Sequence, residues 1–193
     1  FVSGIRLRLV RIIATVGVLL MPLAWFVLKD YQKQRILVFM NPDIDPFGSG
    51  YHIIQSKIAI GSGTIFGKGL FNGTQSQLNF LPENHTDFIF SVIGEELGFI
   101  GCIFVLILLF MLIYRSIKVA YTCNDRFGML LATGIGSMLC FEVLVNAGMT
   151  MGIMPVTGIP LPFISYGVSA LTTNMISIGI LLNISMQRKK YIF

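Results

Sequence analysis

The sequence predicts an all-α polytopic membrane protein with four transmembrane helices and one large extracytoplasmic loop between the first and second. Three observations carry this. Apolar residues make up 54% of the 193-residue chain and charged residues only 12%, too few polar side chains for a water-facing surface. The mean hydropathy is +0.79. Apolar runs fall at about 9–28, 88–114, 127–149 and 167–186, each near the roughly 20 residues that cross a hydrocarbon core.

The first run is expected to be a span and not a signal peptide, because it lacks a small-residue cleavage site and ends in Lys29-Asp30-Tyr31. Orientation follows from the cations, which are retained on the cytoplasmic side of short connections. Arg6, Arg8 and Arg11 precede the first span, Arg115, Lys118 and Arg126 are expected in the connection between the second and third, and Arg188, Lys189 and Lys190 follow the fourth. The loop 29–87 and the short connection 150–166 are then outside, and both ends of the chain cytoplasmic. These clusters explain the net charge of +5 as topology and as attraction to an anionic inner leaflet, which excludes nucleic acid as the expected partner.

Cys102, Cys123 and Cys140 fall in or beside spans, so no disulfide framework is implied. No Cys or His pair has the spacing of metal ligands.

The loop 29–87 is punctuated by Asn41-Pro42, Asp45-Pro46, Gly48-Ser49-Gly50 and Gly61-Ser62-Gly63, which exclude a further span. Between them, Tyr51, Ile53, Ile54 and Ile58 share a helical face. A short helix is expected, either lying on the membrane surface or packed within a compact loop. The run Gly61 to Gly69 fails the pattern of a nucleotide phosphate loop, since Ser62 stands where the first glycine is required and Gly69 where the hydroxyl should follow Lys68. Turns are the simpler expectation, although backbone amides with Lys57 or Lys68 would suit a lipid pyrophosphate.

Asp87 is expected at or near the first turn of the second span, where free amides and the helix dipole favour a carboxylate. It is either a capping residue or a group that takes a proton from a sugar hydroxyl or holds a cation beside a diphosphate. His85 is a second acid–base candidate or a hydrogen-bonding bystander. Glu95 and Glu96 cannot both face lipid and are expected to line a polar cavity, as structure or as part of a substrate groove. Glu142 and Asn146, four residues apart, share one helix face and are expected to fix helix packing.

Gly73-Thr74-Gln75-Ser76-Gln77-Leu78, Phe80-Leu81-Pro82-Glu83, His85-Thr86-Asp87-Phe88-Ile89-Phe90 and Gly94-Glu95-Glu96-Leu97-Gly98 resemble the SEDS family of shape, elongation, division and sporulation proteins. A second signature is similar to Asn146-Ala147-Gly148-Met149, continuing through Gly152, Pro155 and Gly158 to Gly167. Tyr31 to Arg35 and Gly73 to Gln77 look like the RodA branch of that family, among its RodA, FtsW and SpoVE members. The family usually has glycine where this chain has Val168, which removes backbone freedom at the start of the last span.

The resemblance implies the last four helices of a ten-helix fold in the bacterial cytoplasmic (inner) membrane. It implies a peptidoglycan glycosyltransferase that polymerises lipid II for cell-wall elongation and rod shape, beside a class B penicillin-binding protein. Undecaprenyl diphosphate is the leaving group, and Asp87 matches the family's essential aspartate. Lys57, Glu83, His85, Glu95 and Glu96 are the substrate-binding candidates. A divalent cation near Asp87 is the one cofactor suggested. Lacking the preceding helices, these residues alone are expected to be inactive. The alternatives are a lipid II transporter and a non-catalytic scaffold.

Overall fold

The computed structural model describes residues 7–45, 48–78, 80–81 and 83–187. Arg6 and Arg188-Lys189-Lys190, invoked for topology, lie outside the described residues, as do Pro46, Asn79 and Pro82 of the motifs above. Every regular element described is helical: α1 (Leu7–Val27), α2 (Asp30–Met40), a 3-10 turn (Pro42–Ile44), α3 (Ser49–Ser62), α4 (Thr74–Gln77), α5 (Ile89–Thr122), α6 (Arg126–Thr150) and α7 (Val168–Gln187).

Among the described residues α5, α6 and α7 are long and apolar enough to cross a membrane. They fall on the second, third and fourth predicted spans. The 21-residue α1 falls on the first, and its side chains from Arg8 to Leu20 are all exposed, so the rest of the chain makes little use of its apolar surface.

One expectation is corrected in α5. Arg115 and Lys118 lie on its last turns and not in a connection, because the helix runs on to Thr122 and leaves only Cys123 to Asp125 before α6. Its 34 residues at ~1.5 Å each outrun a core ~30 Å thick, and long cationic side chains reach the interface from such an end. Asp125 caps α6 by accepting from the Gly128 N–H at 2.9 Å. The three cysteines are free thiols.

The α5–α6 pair forms the main core. Ala120, Ala132 and Ser116 are buried there, and a Cβ at Gly136 would stand 3.2 Å from that of Ser116, so small residues set a close approach of backbones. Leu109, Ile113, Leu139, Val143 and Leu181 fill the surrounding space, with Leu161 from the connection before α7.

The helix α3 packs inside the loop, against α5 and α6. Its buried face is Ile53, Ser56 and Ala59, while Ile58 is 45% exposed, so the face differs from the apolar one expected. The reason is close packing on α5 at Ser91 and Gly94. Ser56 Oγ donates to the Thr150 carbonyl at 2.6 Å, which leaves the Ser91 hydroxyl to donate to Ser56 Oγ at 2.6 Å. Gly63 lies against the Gly94 carbonyl with no room for a side chain.

The glycine-rich run following α3 closes a break in α5. Gly98 sits at φ 67, ψ −164, a conformation suited to glycine, and interrupts the helical ladder. Residues 64–69 replace the lost bonds. Lys68 N and Gly69 N donate to the Glu95 and Glu96 carbonyls, each at 3.0 Å, while Phe99 N and Ile100 N donate to Thr64 O at 3.0 Å and Ile65 O at 3.2 Å. Irregular backbone within a membrane-spanning helix persists when protein satisfies it in this way. The Lys68 and Gly69 amides are therefore occupied and cannot cradle a pyrophosphate.

Candidate active site

Asp87 sits two residues before α5, and three donors hold the backbone on its approach. Tyr166 N donates to the His85 carbonyl at 2.9 Å, Ser165 Oγ to the Thr86 carbonyl at 2.7 Å, and Asn146 Nδ2 to the Asp87 carbonyl at 3.0 Å. The same Asn146 amide donates to Ile159 O at 2.8 Å, and Leu161 N donates to Ser165 Oγ at 2.7 Å. Two segments far apart in sequence, 83–88 and 155–167, are thereby one rigid unit. Asn146 and Ser165 are the clasps, and both are partly or fully withdrawn from solvent.

With its carbonyl held, Asp87 has a carboxylate that makes no hydrogen bond among the described residues. It lies over Gly158, where a Cβ would come 3.3 Å from Oδ2 and where φ is +74. Partial burial pushes its pKa above the ordinary 3.8 and the Glu83 carboxylate pushes the same way, while the Arg35 guanidinium opposes both. Glu83 is exposed, held at φ 52, and accepts from Thr86 Oγ1 at 3.1 Å.

Arg35 reaches the site from α2, its Nη1 donating to the Val156 carbonyl at 3.4 Å. Sequence reasoning quoted Arg35 without a role. Its contact, the Val156 carbonyl, lies 121 positions away, so no local pattern marks it. His52 was also missed. Its ring stacks on Phe88 at 6.1 Å between centroids and 24° between planes, and its Nδ1 is buried without a hydrogen-bond partner. Arg35, Val38, His52, Ile53 and Val156 line a recess of about 280 Å³.

The other candidates are distributed differently. Glu95 is fully buried and surrounded by donors. Lys68 Nζ at 2.9 Å, Gln75 N at 2.9 Å and Thr74 Oγ1 at 3.2 Å reach Oε1, and Ser76 N and Ser76 Oγ reach Oε2, both at 3.0 Å. It organises residues 68–76 and faces no groove. Glu96 is half-buried and accepts from Gln77 Nε2 at 3.5 Å. Lys57 is exposed, with its side chain laid over Gly152. His85 is exposed and lines a different recess, with Ile89, Phe163, Tyr166 and Leu171. Glu142 is half-buried, and its Oε2 has no hydrogen-bond partner.

Among the described residues no three His, Cys, Asp or Glu side chains gather as metal ligands. Mg²⁺ is commonly held by one or two carboxylates plus substrate phosphates, and Glu83 is the carboxylate whose charge Asp87 feels.

The family model described as cell cycle protein, FtsW/RodA/SpoVE, matches residues 1–190. The chain belongs to this family. It is 49% identical over 190 residues to the peptidoglycan glycosyltransferase MrdB of Escherichia coli, covering 98% of this chain and 51% of that protein. It is 48% identical over 162 residues to the peptidoglycan glycosyltransferase RodA of Treponema pallidum, covering 84% of this chain and 37% of that protein. A solved structure showing the coordination of polymerization and crosslinking by a peptidoglycan synthase complex contains a similar chain, with a TM-score of 0.76 and 33% identity over 98% of this chain and 52% of that one. The chain thus spans about half the length of these relatives or less. As a member of the FtsW/RodA/SpoVE family it has the all-helical, membrane-spanning character that the sequence predicts.

Proposed function

We propose that the protein containing this chain is a multi-pass bacterial inner-membrane glycosyltransferase that polymerises lipid II, and that Asp87 is its general base. The observation that carries the proposal is Asp87 itself: the backbone from His85 to Asp87 is clasped through three consecutive carbonyls, yet the Asp87 carboxylate makes no hydrogen bond among the described residues. A base whose pKa is lifted towards the working pH accepts a proton more effectively in the transition state, and burial lifts that of Asp87.

In this scheme the loop before α5 faces the outside, where the reacting sugars of lipid II are displayed. An acceptor sugar hydroxyl attacks the anomeric carbon of the donor, a C–O bond forms, and the bond to the diphosphate oxygen breaks. Undecaprenyl diphosphate leaves with the electron pair, and the hydroxyl proton passes to Asp87. Base assistance is worth typically ~10² to 10⁴-fold; holding two lipid-linked sugars in register contributes the rest. In the alternative role for Asp87, it and Glu83 would hold a divalent cation that supplies charge to the diphosphate oxygens, and another group would take the hydroxyl proton. Lys57, Glu96 and His85, all at least partly accessible, are the remaining substrate-binding candidates. A class B penicillin-binding protein is the expected partner, supported by the synthase complex that holds a similar chain.

The test is polymerisation of labelled lipid II by the full-length protein with its penicillin-binding partner. Asp87→Asn is expected to abolish glycan product while leaving lipid II binding in place. Equal product from both proteins would overturn the assignment, and a variant that loses translocation but keeps polymerisation would favour a transporter.

A further inference from the structure

The proposed reaction expels a diphosphate, and the chain must present positive charge where that charge develops. The sequence suggested Lys57 or Lys68. Lys68 is already committed to the buried Glu95 carboxylate at 2.9 Å, and its amide to the Glu95 carbonyl. Lys57 lies along Gly152 at the end of α6.

Arg35 is differently placed. Among the described residues its one hydrogen bond is a long contact of 3.4 Å to the Val156 carbonyl, which leaves most of its five donors unspent. It makes no ion pair within 4 Å among the described residues. Together with His52 it lines the 280 Å³ recess, and two independent links tie that recess to Asp87. Val156 lies two residues before Gly158, over which the Asp87 carboxylate rests. His52 stacks on Phe88, the residue following Asp87. Whole drug-sized ligands fill pockets of ~300–1,000 Å³, so this recess suits one headgroup fragment and not a lipid-linked disaccharide. Its other walls are Val38, Ile53 and Val156. Apolar walls strengthen a guanidinium–phosphate contact by excluding water, and the planar fork of arginine grips two phosphate oxygens at once.

We infer that the recess between α2, α3 and the Val156 segment is the subsite for the diphosphate of the lipid donor, with Arg35 as its anion-binding residue and His52 as its wall. This rests on the proposed glycosyl transfer for its purpose, but not for its test. In the resting protein Arg35 and Asp87 temper each other's charge. When the diphosphate binds, Arg35 turns to it and the Asp87 carboxylate, relieved of its opposing cation, becomes the stronger base. The leaving group and the base are thereby served by neighbouring residues from two separate loops.

The experiment measures equilibrium binding of undecaprenyl diphosphate, with undecaprenol as the uncharged control, to the full-length protein in nanodiscs. No turnover is needed, so the result is independent of whether Asp87 is the base. Arg35→Gln is expected to weaken diphosphate binding about tenfold, the loss of one charge-assisted hydrogen bond, with undecaprenol binding unchanged. Arg35→Lys is expected to recover part of it, because the charge remains and the fork does not. Asp87→Asn is expected to bind at least as tightly as wild type, since it removes an anion from beside the site. Should Arg35→Gln and Arg35→Lys both bind the diphosphate like wild type, the subsite is overturned. The same holds if His52→Gln, with normal thermal stability, and Asp87→Asn weaken binding while Arg35→Gln does not. If the binding pattern holds but Asp87→Asn still polymerises lipid II, the subsite stands and the assignment of Asp87 as base falls.

Discussion

One side-chain amide, that of Asn146, donates to the Asp87 carbonyl at 3.0 Å and to the Ile159 carbonyl at 2.8 Å. Asn146 is fully buried on α6, and one of its bonds fixes the backbone carbonyl of Asp87 itself. A hydrophobic residue in its place would leave two withdrawn carbonyls without donors, at ~1–3 kcal/mol each. Asn146→Leu is therefore expected to lower stability by about 2–6 kcal/mol and to reduce lipid II polymerisation by the full-length protein. Asn146→Asp keeps the shape but supplies no donor, and is expected to be as damaging. A thermal melt in detergent and a glycan assay on both variants check this; Asn146→Asp with unchanged Tm and activity would show that the clasp is dispensable.

Asp87 supplies a pH-dependent prediction whose sign follows from its raised pKa. An acid that is harder to ionise folded than unfolded costs nothing at pH values low enough to protonate both states. The cost accrues as pH rises from the ordinary 3.8 through the higher folded value, and it is complete at neutral pH. Asp87→Asn is thus expected to have a higher Tm than wild type at pH 7, and the gap is expected to close as pH falls through the carboxylate range. Melting curves of the two proteins across pH 3.5 to 7.5 measure it. A gap that widens on acidification would mean that the carboxylate is stabilised by its surroundings and not stressed by them.

Glu95 separates a structural from a substrate-binding acid. It gathers the Lys68 ammonium, two backbone amides and two hydroxyls. Replacing one charge-assisted acceptor by an amide removes about 1.5–3 kcal/mol. Glu95→Gln is expected to lower the Tm and to speed proteolysis within residues 68–76, with lipid II polymerisation falling only in proportion to the folded fraction. A variant of wild-type stability that has lost polymerisation would return Glu95 to the substrate groove.

The sequence made the framework legible because its signals were strong and local. Three long apolar runs gave α5, α6 and α7, although Arg115 and Lys118, expected beyond the second span, lie on α5 itself. The place of Asp87 just ahead of α5 was legible from the apolar run that follows it. What escaped depended on partners distant in sequence. The buried face of α3 is set by the approach of Ser56 to Ser91 and of Gly63 to Gly94, so small size counts beside hydrophobicity there, and a periodicity count of isoleucines finds buried Ile53 but misplaces exposed Ile58. Arg35 and Val156 meet across 121 positions, and no local pattern announces that meeting. Glu142 and Asn146 were expected to bond between helices, but the Asn146 partners are the Asp87 and Ile159 carbonyls of two loops and Glu142 Oε2 has no partner among the described residues.

The break at Gly98 is the final and most severe case, because two glycines face each other through it. A Cβ on Gly98 would collide with the backbone of Gly67 and Ile65, and one on Gly67 with the carbonyl of Glu96. Both residues also have positive φ, at 67° and 78°, where any other residue adds ~1–2 kcal/mol of steric cost. Neither position can shift without breaking the bonds that Lys68, Gly69, Phe99 and Ile100 make across the gap, and those bonds connect the loop holding Glu95 to the helix that follows Asp87. Gly98→Ala is expected to lose well over 2 kcal/mol, enough to deplete the folded protein in the membrane, whereas Gly134→Ala, where a Cβ meets nothing within 4 Å, is expected to be neutral or slightly stabilising. Fluorescence-detected size exclusion of the two variants makes the comparison directly. Equal monodisperse yields would mean that α5 can straighten at Gly98, and that the splint of residues 64–69 is not required to hold the site.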